Sequence, residues 1–406
     1  MEDGFVIVGA GLAGAKAAEA LRQQGYDGRL TLIGSEQYRP YERPPLSKGY
    51  LARSQPLEKA YVHPAEWYAE HEVELRTATT VSALDPAGHR LRLAGGDELG
   101  YRKLLLATGS SPRSLPLAGL DAPNVYTLRT VADSDTLAES FASIRRLLVI
   151  GAGWIGMEVA AVARQAGTEV TIVEAAELPL LRVLGPELAG VFAELHREHG
   201  VDLRLGAQLR EVVVEAGRAT GLRLADGTVL DGDAVLLAVG AAPNVELAAD
   251  AGLAVDNGVL VDAGLVSSDP DVLACGDIAN AYAPFYDRRI RVEHWATALK
   301  QPAVAARSMR GETASYDELP YFYSDQYDLG MEYLGYVEPG GYDEVVFRGD
   351  RAGREFIAFW LSVGQVIAGM NVNVWDVTDP IKALIRSRRS VDRARLEDPA
   401  VPLDEL

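Results

Sequence analysis

Cysteine is nearly absent from this chain, which has one, Cys275, in 406 residues. A single cysteine excludes an intramolecular disulfide, a four-cysteine zinc site and a two-cysteine redox relay, and it is typical of a reducing compartment. Long apolar runs are absent as well, since no stretch approaches the roughly 20 residues that a transmembrane helix needs. The N-terminal residues carry no basic leader. We therefore expect a cytoplasmic protein that does not enter the membrane.

Basic residues are few relative to acidic ones. The chain has 39 Lys and Arg against 58 Asp and Glu, which gives a net charge of −19. A field of this sign repels polyanions, so we expect no binding to nucleic acid or to anionic membranes.

The length predicts two or three domains. The chain has 40 glycines. Because glycine costs backbone entropy on folding, so many predict tight turns or a close approach of backbone to a ligand.

One pattern occurs twice along the chain, over residues 5–36 and 147–174. Each copy contains an apolar run rich in β-formers, a glycine turn, an Ala-rich segment, a second apolar run and an acid. This order predicts a strand–helix–strand unit that binds a dinucleotide. The glycines of the two turns are Gly9, Gly11 and Gly14, and Gly151, Gly153 and Gly156.

The residues of each copy suit the parts of a dinucleotide. The glycines let the pyrophosphate reach the N-terminus of the helix, where unpaired N–H groups favour anions. The closing acids, Glu36 and Glu174, accept hydrogen bonds from ribose and repel a 2′-phosphate, which predicts NADH rather than NADPH. Two ordinary glycine-rich turns are the alternative, and two complete matches argue against it. We expect further cofactor contacts at the strand ends Thr108-Gly109 and Gly240.

Composition divides the rest of the chain. Aromatic residues become frequent after Pro320, among short alternating runs typical of strands. We predict an α/β protein with two Rossmann-type dinucleotide-binding domains and a C-terminal α+β domain. Residues 1–112 and 244–318 form the first domain, residues 113–243 form the second, and residues 319–406 form the third.

Another signal is the run Leu273–Ala279, which contains Cys275-Gly276-Asp277. We expect a strand that ends at Gly276 and a helix that begins at Asp277. Such an acid can accept hydrogen bonds from a polyol, although a plain N-cap aspartate is the alternative. Cys275 lies at the apolar end of the strand, which predicts a buried structural residue.

The proline-stiffened loop after the first copy completes a set of motifs in a fixed order. Together they resemble the ferredoxin reductases of bacterial oxygenase systems, which are flavoproteins of glutathione-reductase-like fold. The resemblance covers essentially the whole chain. The motifs are Gly9 to Gly14, Arg43-Pro44-Pro45-Leu46-Ser47-Lys48, Ala107-Thr108-Gly109, Gly151 to Gly156, Cys275-Gly276-Asp277 and Ser324-Asp325-Gln326-Tyr327.

The resemblance implies that the first domain holds FAD and the second holds NADH. It further implies that electrons pass from NADH through FAD to a ferredoxin, which serves an oxygenase such as a cytochrome P450 or a ring-hydroxylating dioxygenase. Lys48 and Glu158 are the expected catalytic pair, beside the flavin ring and the nicotinamide respectively. The implied FAD contacts are Ala13, Lys48, Val81, Arg129, Asp277 and Trp295, and the implied NADH contacts are Ile155, Glu158 and Glu174.

Other functions of the same fold are less compatible with the loop that carries Lys48. Disulfide reductases need a cysteine pair there, and this loop has none. A rubredoxin or monodehydroascorbate reductase stays an alternative, as does an NADH-sensing flavoprotein of the apoptosis-inducing-factor type. Tyr323 stands where several relatives have tryptophan, so the role of that aromatic is open. We expect a monomer or weak dimer.

Three further clusters have ordinary explanations. His196 and His199 have helical spacing, and a solvated helix end is favoured over a metal site. Arg288, Arg289 and Arg291 form one basic cluster, and a basic helical tail from Lys382 to Arg395 presents another on one face. A solvated surface explains either one alone. In so acidic a protein, however, an acidic ferredoxin needs a local positive patch.

Overall fold

The computed structural model describes residues 4–406, which divide into two compact units. The first unit contains residues 4–43, 57–111 and 241–320. The second unit contains residues 44–56, 112–240 and 321–406. Among the described residues, no helix is both long and apolar enough to cross a bilayer. The same part of the chain contains no cluster of three or more His, Cys, Asp or Glu side chains that could hold a metal.

The first unit is built on a parallel five-stranded sheet. Its central strand is fully buried, and helices Leu12–Gln23 and Trp295–Met309 pack against each other beside it. Helix Leu12–Gln23 forms because its sequence is rich in Ala, and it buries these small residues at helical spacing. The sheet strands, in spatial order, are Val272–Ala274, Lys103–Leu106, Phe5–Val8, Leu30–Ile33 and Val73–Arg76.

Smaller elements complete the first unit. One antiparallel sheet contains Val81–Asp85, Arg90–Leu93 and Glu98–Gly100, and another sheet contains Val259–Val261, Ala279–Ala283 and Arg288–Ile290. Short strands Ser110–Pro112 and Ala241–Pro243 lie where the chain leaves and re-enters this unit. The remaining helices and 3₁₀ turns are Leu57–Lys59, Ala65–Glu70, Glu246–Asp250, Gly276–Ile278 and Pro284–Tyr286.

The second unit contains another parallel five-stranded sheet. Its strands, in spatial order, are Asp202–Arg204, Glu169–Val173, Arg146–Ile150, Ala234–Leu237 and Val125–Tyr126. A three-stranded antiparallel sheet contains Leu209–Glu215, Arg218–Leu224 and Val229–Asp231. The helices and 3₁₀ turns of this part are Pro44–Ser47, Val131–Ser140, Trp154–Gln165, Leu181–Leu184 and Pro186–Glu198.

Residues 321–406 of the second unit form a five-stranded antiparallel sheet followed by helices. Apolar side chains of the sheet, such as Phe356 and Trp360, are buried in the core of this unit. The strands, in spatial order, are Tyr321–Gln326, Leu329–Gly335, Gln365–Val372, Glu355–Ser362 and Glu344–Asp350. Helices Thr378–Ser387 and Arg393–Glu397 and the 3₁₀ turn Leu403–Glu405 end the chain.

The expected continuous basic helix from Lys382 to Arg395 is wrong. The first helix ends at Ser387, and Arg388 has a left-handed φ of 50°. Ser390 then pairs with Gln365 of the sheet, which draws the chain out of helical geometry. Asp392 caps a new helix by accepting from the backbone N–H groups of the first turn. The basic residues therefore do not share one helical face.

Arg348 holds the end of the chain in place. The residue is 8% exposed, and its guanidinium donates to the carbonyls of Leu396, Asp398, Pro399 and Val401. Arginine suits this role because its fixed fork of donors can satisfy several carbonyls at once. Several carbonyls of the irregular segment after Glu397 therefore depend on one side chain for a donor.

We predict that Arg348→Met loosens this segment. The carbonyls lose their donor, which should lower stability by about 1–3 kcal/mol. Limited proteolysis should then cut after Glu397 in the variant before it cuts the wild type. Arg393→Met is the matched control, because Arg393 is 60% exposed and pairs only at the surface. Equal protease resistance in both variants would show that Arg348 does not hold the segment.

Candidate functional site

The first glycine turn is packed so closely that two of its positions admit no side chain. Gly9 has a φ of +115°, and a Cβ there would lie 2.0 Å from the carbonyl oxygen of Ala107. A Cβ on Gly14 would lie 2.0 Å from the carbonyl oxygen of Gly9. A Cβ on Gly11 would meet nothing within 4 Å. Gly11 therefore borders an open face at the start of helix Leu12–Gln23, whose N-cap makes no side-chain hydrogen bond.

The second glycine turn repeats this geometry. Gly151 has a φ of +99°, and a Cβ on Gly156 would lie 2.3 Å from the carbonyl oxygen of Gly151. Gly153 again has open space, at the uncapped start of helix Trp154–Gln165. An uncapped helix start beside an open face fits a pyrophosphate, because the first N–H groups and the helix dipole attract anions. Each unit thus contains one such cradle.

The two closing acids are held differently. Glu174 accepts at one carboxylate oxygen from the N–H of Ala152, at 2.8 Å, and at the other from the N–H of Ala176, also at 2.8 Å. Glu36 instead binds the guanidinium of Arg43 at 2.9 Å and the hydroxyl of Tyr41 at 2.5 Å. Both carboxylates are oriented by hydrogen bonds, and Glu174 is tied directly to its own glycine turn.

Asp277 lies beside the first cradle. It is in the 3₁₀ turn Gly276–Ile278, so the expected helix start at this residue is wrong: a single tight turn joins two strands here. The hydroxyl of Ser110 donates to its carboxylate at 2.8 Å. A Cβ on Gly276 would lie 3.0 Å from Cβ of Ala13, so the turn and the cradle helix are adjacent. The structure therefore brings Gly11, Ala13 and Asp277 together.

Other predicted FAD contacts of the first unit have defined partners. The indole of Trp295 donates to Glu42 at 3.0 Å. The hydroxyl of Thr108 donates to the carbonyl of Asn244 at 2.9 Å, next to Gly109 with its φ of +70°. Val81 is half-buried at the start of its strand. Their contacts with FAD stay predictions.

The remaining predicted positions belong to the second unit. Arg129 directly precedes helix Val131–Ser140, and its backbone N–H donates to Asp133 at 3.0 Å. Ile155 is an exposed apolar side chain, 42% accessible, on the first turn after the second cradle. Gly240 has a φ of +96°, where a side chain would be strained. These contacts also stay predictions.

Lys48 and Glu158 form a buried ion pair in the second unit. Their charged atoms lie 2.7 Å apart, and their side chains are 18% and 4% exposed. The hydroxyl of Ser47 donates to the same carboxylate at 2.5 Å, and the hydroxyl of Ser324 donates to its other oxygen at 2.7 Å. The ring of Tyr323 lies 5.6 Å from the ammonium, within range of a cation–π contact.

The loop that carries Lys48 is fixed at several points. Residues Pro44–Ser47 form a 3₁₀ turn, and the hydroxyl of Ser134 donates to the carbonyl of Leu46 at 2.9 Å. The hydroxyl of Tyr50 donates to Asp135 at 2.8 Å. Two prolines already restrict the backbone, so the ammonium is held with little freedom. Burial raises the pKa of nearby Asp325, and the positive charge of Lys48 acts against that shift.

Ser47, Ser324 and Gln326 had no predicted role at this site, and the prediction for His196 is wrong. His196 is fully buried and makes a hydrogen bond with Gln326 at 2.8 Å, so it is not a solvated helix end. Burial lowers the pKa of His196 to about 4. The spacing of His196 and His199 could not show this, because both lie on an amphipathic helix and only packing decides which side chain is covered.

Cys275 is fully buried, and burial raises the pKa of its thiol to about 12. A thiolate, rather than a thiol, is the reactive form in redox chemistry. The thiol therefore stays protonated and enclosed at neutral pH, as expected for a structural residue.

Comparison with known proteins agrees with this geometry. The sequence profile of the family described as pyridine nucleotide-disulphide oxidoreductase matches residues 4–302, and a profile described as reductase C-terminal matches residues 321–406. The chain is 41% identical to the 5,5′-dehydrodivanillate O-demethylase ferredoxin reductase subunit of Sphingobium sp. (strain NBRC 103272 / SYK-6), over 99% of this chain and 97% of that protein.

Two further relatives concern putidaredoxin reductase. The enzyme of Pseudomonas putida is 38% identical over 100% of this chain and 96% of its own length. The crystal structure of a covalent putidaredoxin reductase–putidaredoxin complex superposes with a TM-score of 0.94 at 37% identity, and the match covers 100% of this chain and 98% of that chain.

The two cradles and the buried ion pair define a dinucleotide-dependent oxidoreductase with two nucleotide sites. The chain belongs to the pyridine nucleotide-disulphide oxidoreductase family. The predicted fold class, two dinucleotide-binding domains with a further C-terminal domain, is confirmed. The cofactors of this class are FAD and NAD(H), and the open faces at Gly11 and Gly153 fit them.

We predict that alanine at the two open glycines separates the two cofactors. Neither Cβ meets protein atoms, so Gly11→Ala and Gly153→Ala should both fold. A methyl group on either face displaces a pyrophosphate from its N–H donors. We expect at least about a tenfold loss of FAD affinity in the first variant and a similar rise in the KM for NADH in the second, because a charge-assisted hydrogen bond contributes about 1.5–3 kcal/mol.

FAD affinity is measured by titrating apoprotein, and KM by steady-state reduction of ferricyanide. The two variants serve as controls for each other. Loss of FAD from both, or from neither, would contradict the assignment of one cofactor to each cradle.

We predict that NADH is preferred to NADPH by at least about tenfold in kcat/KM, because a carboxylate at Glu174 would accept from a ribose diol and repel a 2′-phosphate. Glu174→Ala should lower the ratio of kcat/KM for NADH to kcat/KM for NADPH. It should also weaken NADH binding, because two loop N–H groups lose their acceptor. Glu177→Ala is the control, since Glu177 is exposed nearby. Equal kcat/KM values for the two coenzymes in the wild type would refute the role of Glu174.

Proposed function

We propose that this protein is an FAD-dependent NADH:ferredoxin reductase, which passes electrons from NADH through FAD to a ferredoxin that serves an oxygenase. The observation that supports this most strongly is the buried Lys48–Glu158 pair on a loop without thiols, within a chain that has two dinucleotide cradles. The chain matches the O-demethylase ferredoxin reductase subunit and putidaredoxin reductase over nearly their whole length. It matches the ferredoxin–NAD(+) reductase component of an anthranilate 1,2-dioxygenase system to the same extent.

FAD supplies the chemistry that joins the two partners, since it accepts two electrons at once from a nicotinamide and releases them singly. The protein supplies charge and alignment. We assign Lys48 to the flavin ring, where an ammonium stabilises negative charge that develops on reduction. Glu158 holds that ammonium in place and keeps the pair electrically neutral when the flavin is oxidised. Ser47 and Ser324 in turn hold the carboxylate.

No thiol step enters this scheme. The only cysteine is enclosed and protonated, and the loop at Lys48 has Ser47 beside two prolines. The electron acceptor must therefore receive electrons from the flavin itself. An iron–sulfur protein suits such a donor because it accepts one electron at a time.

The surface that receives the ferredoxin is best sought among the exposed arginines after helix Thr378–Ser387. Arg388 and Arg389 are both exposed there. In the other basic cluster, Arg291 pairs with Glu293 at 2.7 Å, and Arg289 donates to backbone carbonyls of the same unit. The charges of Arg289 and Arg291 thus have partners within the first unit. We place the reaction in the cytoplasm, where NADH is supplied.

The function is tested with purified acceptors. NADH-driven reduction should be fast with a ferredoxin of an oxygenase system and slow with rubredoxin or monodehydroascorbate. The ferredoxin-dependent rate should fall as salt rises, because docking charges are screened once the Debye length is about 8–10 Å. Ferricyanide reduction needs no docked orientation and should be insensitive. Failure to reduce any ferredoxin, with ferricyanide reduced normally, would refute the proposed acceptor.

Charge reversal tests the docking surface separately. Changing Arg388 and Arg389 together to Glu should reduce the ferredoxin-dependent rate and its salt dependence. Changing Arg90 and Arg92 together to Glu makes the same change in net charge at another exposed site and is the control. If both pairs of substitutions have the same effect, only the overall charge matters and the tail is not a docking surface.

A further inference from the structure

Glu158 is embedded in more hydrogen bonds than an ion pair needs. One carboxylate oxygen receives both Lys48 and the hydroxyl of Ser47. The other oxygen receives the hydroxyl of Ser324 at 2.7 Å. Beyond Ser324 the contacts continue inward: Gln326 lies 3.1 Å from the Ser324 oxygen and 2.8 Å from a ring nitrogen of His196.

The direction of every bond in this series is fixed by chemistry. A carboxylate only accepts, so Ser324 must donate its hydroxyl proton to Glu158. The Ser324 oxygen then accepts from the amide nitrogen of Gln326. This orientation turns the amide oxygen of Gln326 toward His196, so Nε2 of His196 must carry its proton and donate. Each donor therefore points toward the carboxylate, and bonds aligned in this way strengthen one another.

His196 is suited to end the series as a neutral donor. It is fully buried, and desolvation lowers its pKa to about 4. Among the described residues its Nδ1 atom has no hydrogen-bond partner, so a second ring proton would have no acceptor. The ring of Tyr327 lies edge-on at 5.2 Å. The imidazole is thus held in one tautomer.

The polar residues occupy positions where apolar ones would normally lie. Along strand Tyr321–Gln326, Phe322, Ser324 and Gln326 are buried and alternate with more accessible neighbours, so they face the same core. Phe322 packs in the apolar core, as such a position favours. The next two positions on that face are polar, and a serine and a glutamine contribute little there except hydrogen bonds.

We propose that Gln326, with Ser324 and His196, is a positioning residue that holds the Glu158 carboxylate and, through it, the Lys48 ammonium. This inference rests on the proposed function, because the ion pair matters only where Lys48 faces a flavin. Without the series, one carboxylate oxygen loses its oriented donor and the carboxylate can rotate. Lys48 then moves with it.

The first test is a double-mutant cycle on flavin reduction. Gln326→Met keeps the length of the side chain and removes both hydrogen-bonding groups. We expect the rate of flavin reduction by NADH to fall at least about fivefold, with little change in the apparent Kd for NADH. In a Glu158→Gln background, the same substitution should have almost no further effect, because coupled residues are not additive.

Tyr327→Phe is the matched control. It alters a half-buried side chain next to His196, and its hydroxyl has no hydrogen-bond partner among the described residues. The reduction rate should stay at the wild-type value. If Gln326→Met slows reduction equally in the two backgrounds, or not at all, the series does not act through Glu158. Ser324→Ala, measured in the same way, repeats the test should the first variant fold poorly.

The second test does not depend on activity. In the FAD-bound, oxidised protein labelled with ¹⁵N histidine, NMR at neutral pH should show His196 protonated at Nε2, and its signal is assigned by loss in His196→Asn. Protonation at Nδ1 would overturn the proposal. The proposed function fails separately: wild-type flavin that NADH cannot reduce would refute the reductase, whereas the tautomer would still report on the hydrogen bonds.

Discussion

A charge buried inside a protein must be compensated, and in the second unit that charge is the carboxylate of Glu158. The free energy needed to transfer an unpaired carboxylate out of water is larger than the whole free energy of unfolding of a domain. The structure answers with one ammonium and two hydroxyls. Two separate segments meet this requirement of the helix that carries Glu158: the loop with Ser47 and Lys48, and the strand with Ser324. Their local order follows from one carboxylate.

Much of this arrangement could be predicted from the sequence, because the glycine turns have steric causes that are local. Gly9 and Gly14 are required by backbone contacts a few residues away or on the adjacent strand, and such contacts leave a clear pattern. The strand–helix–strand order and the family resemblance followed from that pattern. The ion pair of Lys48 and Glu158 was reached only through the resemblance, since 110 positions separate the two residues and no periodicity connects them.

Tertiary contacts explain what the sequence did not show. His196 has the spacing of a surface residue, and it is buried because Gln326 packs against its helix. The basic tail has helical spacing throughout, yet the bridge between Ser390 and Gln365 interrupts the helix. In both cases a residue more than 20 positions away decides the outcome. Local propensity contains no information about such partners.

The enclosure of Cys275 has a practical consequence for spectroscopy. The chain has no other cysteine, and this thiol is fully buried with a raised pKa. Maleimides and thiol-reactive spin labels react with accessible thiolates, so we expect them not to label the native protein. A cysteine introduced at any exposed position becomes the one site that accepts a label. Distances to a bound partner can therefore be measured without first removing a native residue.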